Sequence, residues 1–208
     1  MLSSTSPSST TPIYLLAGLG NPGRQYADTR HNIGFMTMDC LVERLLAGNK
    51  PMPRVQMRAV TYDFRYEGCR IVIAKPQTYM NESGSAVAAL VKFYKIPLAN
   101  IMVANDDVDL PFGILRLRPG GGSAGQKGIA SIIERLGTQE FPRLRMGIGR
   151  PPGNRLAAAY VLERFSRSEE KELPEILARA ADAMLTFVTG GLDAAMNRFN
   201  GPVENDRD

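Results

Sequence analysis

The spacing of apolar positions changes several times along the chain. Ile13-Tyr-Leu-Leu-Ala-Gly-Leu19 is a continuous apolar run closed by Gly20-Asn21-Pro22-Gly23, which predicts a short buried strand ending in a tight turn. Residues 20–32 are polar and rich in turn formers. From there Ile33, Met36, Leu41, Val42, Leu45 and Leu46 roughly keep helical spacing, and Gly48-Asn49 is expected to stop that helix. Residues 55–66 and 70–75 read as two strands joined at Glu67-Gly68, with residues 71–74 well buried. A helix is predicted over 82–94, carrying Val87, Leu90, Val91 and Tyr94 on one face.

The second half continues the alternation. Residues 100–104 form the next expected strand, with Asp106-Asp107 leaving its carboxyl end. Ile114-Leu-Arg-Leu-Arg118 alternates apolar and basic positions, so one face should be buried and the other cationic. Residues 120–125 are a glycine-rich loop expected to be mobile, 127–136 a helix and 144–149 a strand. A long helix is predicted from 168 to about 188, with Glu169-Glu170 suiting its amino-terminal dipole, and a short one near 192–199. No internal repeat or linker divides the chain. Strands alternating with helices predict a single three-layer α/β/α domain over 13–200, with a mixed, mostly parallel twisted sheet. The Ser/Thr/Pro-rich residues 1–12 read as a disordered tail, and 201–208 as a short C-terminal tail.

Charge sharpens this picture. The formal net charge is only +4. Between Gly113 and Arg150, however, seven bases face two acids, a local excess of +5. Such a stretch favours a polyanionic partner. The two cysteines, Cys40 and Cys69, lie in unrelated segments, which argues against a disulfide framework and for a reducing cytoplasm. No apolar run approaches the ~20 residues of a membrane span, so no membrane association is expected.

The candidate chemistry starts from a single histidine, His31, within Thr29-Arg30-His31-Asn32. Imidazole is the side chain best suited to move protons near neutral pH, so any imidazole chemistry must use this residue. Three motif readings compete. Gly18-Leu-Gly20-Asn-Pro-Gly23 matches a dinucleotide fingerprint, but no helix starts at once and no acid ends a second strand ~20 residues on. Gly121-Gly-Ser123-Ala-Gly125 matches a nucleophile elbow, but no histidine follows Ser123 to serve it. The third reading joins Asn21, His31, Asn81 and Asp106. Asp106 ends a central strand, where α/β folds place ligand chemistry. A carboxylate on one imidazole nitrogen fixes the tautomer and leaves the other as a base. Asparagine amides can donate to a carbonyl oxygen or a developing oxyanion. The simplest chemistry is a water activated by His31 attacking a carbonyl, and an ester suits so light a site better than an amide.

GLGNPG with Tyr26 and TRHN, then KPQTYMNESG, NDDVDLPFG and FPRLRMGIGRPPG, together resemble bacterial-type peptidyl-tRNA hydrolase from Ile13 to about Asn200. The resemblance implies hydrolysis of the ester joining a stalled peptide to tRNA, by a cytoplasmic monomer with no metal or other cofactor. It implies that His31 is the base, that Asp106 holds it in its basic form, and that Asn21 recognises the peptide end and discriminates against free aminoacyl-tRNA. It places Tyr26, Tyr79 and Asn81 around the acyl and terminal-adenosine region, and Arg116, Arg118 and Arg145 on tRNA phosphates.

Three positions depart from the family pattern. Gln126-Lys127 stands where the family usually has His-Asn, and Asn105 where a His is frequent. Both Gln126 and Lys127 are expected to bind substrate; the first can donate or accept a hydrogen bond but cannot titrate, and the second adds a cation. The changed pair leaves one alternative, a non-catalytic RNA-binding relative of the kind that serves in organelle splicing.

Overall fold

The computed structural model describes residues 11–46, 52–153 and 155–201. The expected helix stop at Gly48-Asn49, and nearly all of the two tails, lie outside the described residues. The strands are β1 (Ile13–Gly18), β2 (Arg54–Gln56), β3 (Ala59–Tyr66), β4 (Cys69–Pro76), β5 (Ile101–Asp107), β6 (Leu115–Arg118) and β7 (Arg143–Gly147). The helices are α1 (Ile33–Leu46), α2 (Ser83–Tyr94), α3 (Lys127–Leu136), α4 (Ala157–Tyr160) and α5 (Arg167–Phe199).

One seven-stranded sheet runs in the order β2-β3-β4-β1-β5-β7-β6. Its centre, β4-β1-β5-β7, is parallel; β3 and β2 extend one side in antiparallel pairing and β6 the other. Alternation along each strand divides the core. Leu16, Met102, Ala104, Leu144 and Met146 pack under α1 and α5, whereas Leu15, Ala17, Val72, Ala74 and Val103 pack under α2 and α3. Three layers follow, with the parallel strands delivering their carboxyl ends to one edge. Chain crossings leave β1 and β4 for opposite sides of that edge, which opens the crevice where α/β folds bind ligands.

Two elements differ from the sequence expectations, the stretch 55–66 and α4. The expected strand 55–66 is a hairpin: Met57 and Arg58 both take left-handed backbone (φ 49° and 58°) between β2 and β3. Met-Arg lacks the Asn-Gly signal of such a turn. Tertiary contacts hold it instead, because the Arg58 carbonyl accepts from Gln77 N at 2.7 Å and the Arg58 guanidinium reaches Glu82 at 2.8 Å. The last helix, Arg167–Phe199, is interrupted at Gly191, whose backbone is non-helical (φ 82°, ψ 175°). That break falls between the two helices expected from the sequence. The four-residue α4 was not anticipated.

The crossing of α1 over β1 is a close backbone approach. A Cβ on Gly34 would lie 2.5 Å from Leu19 N and 2.6 Å from both Ala104 O and Leu19 O. Only hydrogen fits there, and none of the three obstructing atoms belongs to a movable side chain. Gly34→Ala is therefore expected to lower stability by roughly 3 kcal/mol. It should also displace residues 30–32 from the sheet edge. A urea-unfolding midpoint equal to wild type would contradict this.

Candidate active site

The three carboxyl ends of β1, β4 and β5 carry the candidate residues. The chain leaves β1 through Leu19 and Gly20 into Asn21, β4 leads through Tyr79 to Asn81, and β5 ends on Asp106-Asp107. His31 arrives from the side, on a single 3₁₀ turn (Arg30–Asn32) that runs directly into α1. Its Nδ1 lies 2.8 Å from Asp106 Oδ2. Asp106 is only 4% exposed. A carboxylate so buried needs donors, and Gln126 supplies the second: its Nε2 donates to Asp106 Oδ1 at 3.1 Å.

Asn21 is held as firmly. Its backbone N–H donates to Asn32 Oδ1 at 2.8 Å, and Asn32 Nδ2 donates back to the Asn21 carbonyl at 3.0 Å. Its side-chain Oδ1 accepts from Met80 N at 2.8 Å. That bond fixes the amide orientation, so Nδ2 is the free end and has no partner among the described residues. The site therefore presents a fixed donor and a fixed imidazole.

These groups line a cleft of about 580 Å³, within the size range of sites that bury small ligands. Asn21, His31, Tyr79, Asn81, Asp106, Gln126, Lys127 and Arg145, all expected from the sequence, line it together. Tyr26 does not; it forms the 3₁₀ turn after Gly23, where its carbonyl accepts from Thr29 Oγ1 at 2.8 Å. Asn81 makes no capping bond to α2 and faces the cleft. Tyr79 is 59% exposed at the rim. Val108, Ala157, Ala158, Val161 and Leu162 add an apolar wall. That wall was missed from the sequence because α4 is too short to show a helical period.

The cations separate into three situations. Arg143 is buried on β7 and structural: it donates to the Gly122 carbonyl at 2.8 Å and the Gln139 carbonyl at 2.9 Å, pinning the glycine-rich loop. Burial, and next the neighbouring Arg145, push its guanidinium below the usual value. Arg145 sits at the cleft with its Nε on Asp107 Oδ2, so it is not the free cation the sequence suggested. Arg116 and Arg118 lie outside the cleft on the edge strand β6, directly across from Arg145 and Arg143 respectively. Arg118 is exposed and Arg116 half-buried. They extend a basic surface from the cleft to the sheet edge.

His31 is anchored from behind by a partly buried ion pair on the neighbouring residue. Arg30 binds Glu169 through both Nη atoms at 2.8 Å each. Its guanidinium stacks 4.4 Å from the Tyr160 ring and 5.0 Å from that of Phe165. Glu169 also closes a capping box with Ser166 at the start of α5. The backbone completes the join, because Arg30 N donates to Glu163 O at 3.0 Å and His31 N to Val161 O at 2.8 Å. The turn that carries His31 and the apolar wall thus form one unit with the head of α5.

Comparison with known proteins gives concordant matches. A family profile described as Peptidyl-tRNA hydrolase matches residues 15–207. A peptidyl-tRNA hydrolase of Chloroflexus aggregans is 51% identical over 191 residues, covering 90% of this chain and 99% of the relative. One of Mycobacterium tuberculosis is 48% identical over 186 residues, covering 89% of this chain and 96% of the relative. The crystal structure of peptidyl-tRNA hydrolase from Acinetobacter baumannii superposes with a TM-score of 0.84 at 33% identity, covering 93% of this chain and 98% of that one.

The Arg30–Glu169 pair makes stability depend on acid. Burial raises the Glu169 carboxyl, but hydrogen bonds from Arg30 and Ser166 outweigh it and hold the group below the usual glutamate value. Its contribution is present above the unfolded value near ~4.3 and is lost as pH falls through the folded one. Glu169→Gln is expected to destabilise by about 3 kcal/mol at neutral pH, by stranding the buried Arg30. The gap from wild type should narrow as pH falls from ~6 to ~3. A gap independent of pH, measured by denaturant titration, would refute this assignment.

Proposed function

The chain belongs to the peptidyl-tRNA hydrolase family, and from that premise we propose how its cleft cleaves the substrate. The protein hydrolyses the ester bond between peptide and tRNA in peptidyl-tRNA. In our reading His31 is the general base. The observation that carries it is the 2.8 Å contact between His31 Nδ1 and Asp106 Oδ2. With that proton committed to the carboxylate, Nε2 is left unprotonated to take a proton from water. The water oxygen adds to the ester carbonyl. The tetrahedral intermediate then expels the ribose oxygen of the terminal adenosine, which receives the proton held by His31. Free peptide acid and tRNA result.

Asn21 Nδ2 donates to a carbonyl oxygen of the acyl group, supported by the bond that turns its oxygen away toward Met80. Tyr79, Asn81 and Lys127 contact the acyl and adenosine region from the rim. Arg116, Arg118 and Arg145 take phosphates, a role in keeping with arginine's forked donors and with a basic surface continuous from the cleft. Arg145 keeps its Nη atoms for this while Nε stays on Asp107. Tyr26 acts in the turn and not on substrate. We place the protein in the cytoplasm as a monomer, where translation produces its substrate. Among the described residues no helix is long and apolar enough to cross a membrane.

The non-catalytic RNA-binding reading is not favoured, since relatives of about 50% identity across most of the chain are hydrolases. A direct assay tests the mechanism, with N-acetyl-aminoacyl-tRNA labelled in the acyl group. Wild type should release the label and His31→Ala should not. Asp106→Asn should lower kcat by roughly 10²- to 10⁴-fold with KM nearly unchanged. Equal losses in kcat and in tRNA affinity would contradict its orienting role.

Arg118→Ala should act in the opposite way, raising KM while kcat is retained. Removal of one phosphate contact should reduce the dependence of log KM on log salt by about one unit. An unchanged slope would exclude Arg118 from phosphate contact.

A further inference from the structure

Gln126 was expected to touch substrate, but both ends of its side chain are occupied by protein. It is the N-cap of α3, and its Oε1 accepts from Ile129 N at 2.8 Å. That bond fixes the amide orientation without ambiguity, so the nitrogen must point the other way. There Nε2 donates to Asp106 Oδ1 at 3.1 Å and approaches Met80 Sδ at 3.3 Å. Each oxygen of the Asp106 carboxylate thus has its own donor, His31 on one and Gln126 on the other.

We infer that Gln126 is a positioning residue for the His31–Asp106 pair, a neutral clamp that stops the carboxylate from rotating and ties it to the first turn of α3. The inference rests on the reading of His31 as the base. Its logic is geometric. A carboxylate bound on one side only can turn about its Cβ–Cγ bond and carry the imidazole with it. A second donor, held by its own helix cap, removes that freedom. The donor is also uncharged at every working pH, so it fixes Asp106 without altering the charge beside His31.

The surroundings bear on the test. The other titratable or charged groups lining the cleft are Asp107 on β5, Arg145 on β7, Lys127 at the head of α3 and Tyr79 ahead of α2. Asp107 and Arg145 are paired with each other. Behind His31, Arg30 is neutralised by Glu169. The wall from α4 to Leu162 brings no charge. A new charge at position 126 would therefore be felt at His31 chiefly through Asp106.

Gln126→Glu separates the clamp from the cap. A glutamate oxygen still accepts from Ile129 N, and its charge suits a helix amino terminus, so melting should stay within a few degrees of wild type. The donor to Asp106 is lost and a second carboxylate faces it. Expected are a kcat loss of roughly 10- to 100-fold, KM for N-acetyl-aminoacyl-tRNA within about twofold, and an acid limb of kcat/KM moved up by about one pH unit, because added negative charge favours the imidazolium. Gln126→Met should lower kcat similarly but leave the limb in place. A raised KM with an unmoved limb in Gln126→Glu would make Gln126 a substrate contact and overturn the inference, as would wild-type kinetics in both variants. His31→Ala in the same assay keeps the two readings apart. If it retains activity, the base assignment falls; if it is inactive while both Gln126 variants behave as wild type, only the clamp falls.

Discussion

A carboxylate sealed from water must be met by protein donors, and Asp106 imposes that demand on the whole active edge. One donor comes from the turn before α1 and the other from the turn before α3. Three segments distant in sequence therefore have to converge within hydrogen-bonding distance. The glycine at position 34 lets α1 lie close enough to β1 and β5 to bring His31 there. The weld of Arg30 to Glu169 stops the turn from being pulled away. Much of the surrounding architecture can be understood as holding one imidazole against one carboxylate.

The cations illustrate how local structure sorts residues of one type into different tasks. Arg143 and Arg145 are two positions apart on β7 and share a sheet face, yet the first braces a loop from below and the second reaches the cleft. Arg116 and Arg118 repeat that pairing one strand further out, where Arg116 is half-buried and Arg118 exposed. The excess positive charge between β6 and β7 is thus graded from buried to exposed. Asp107 tempers it at the inner end, in the cleft, so that attraction for a polyanion grows toward the sheet edge.

Elements with a clean period were legible in the sequence. The apolar run of β1, the helical stripe of α1 and the alternation of β6 all lie close to where the pattern put them, and α3 matches at both ends. The candidate site was legible where a motif carried the residue: His31, Asp106, Asn21, Tyr79 and Asn81 converge on one cleft. What could not be read was held by tertiary contact. The Met57-Arg58 turn has no local turn chemistry and depends on Gln77 and Glu82. Asp107 and Arg145 give no sign in sequence that they neutralise each other across two strands. Gln126 was expected to be a substrate ligand because it stands, with Lys127, where the family usually has His-Asn. Its two partners, Ile129 N and Asp106 Oδ1, become visible only when α3 is set against β5.

The arrangement also bears on why an ester is the right target. Asn21 is restricted to donating, since its oxygen is consumed by Met80 N, and in the proposed mechanism His31 is restricted to accepting, since Nδ1 is consumed by Asp106. In that mechanism one group polarises a carbonyl and the other deprotonates water. In this mechanism no side chain forms a covalent intermediate. An alkoxide leaving group departs readily and needs only the proton that His31 has just acquired. An amide nitrogen would need protonation before departure and stronger stabilisation of the oxyanion than one amide donor gives. The weakness of the machinery thereby becomes a source of selectivity: it is sufficient for the acyl–ribose bond, while the peptide bonds a few ångströms away remain outside its reach.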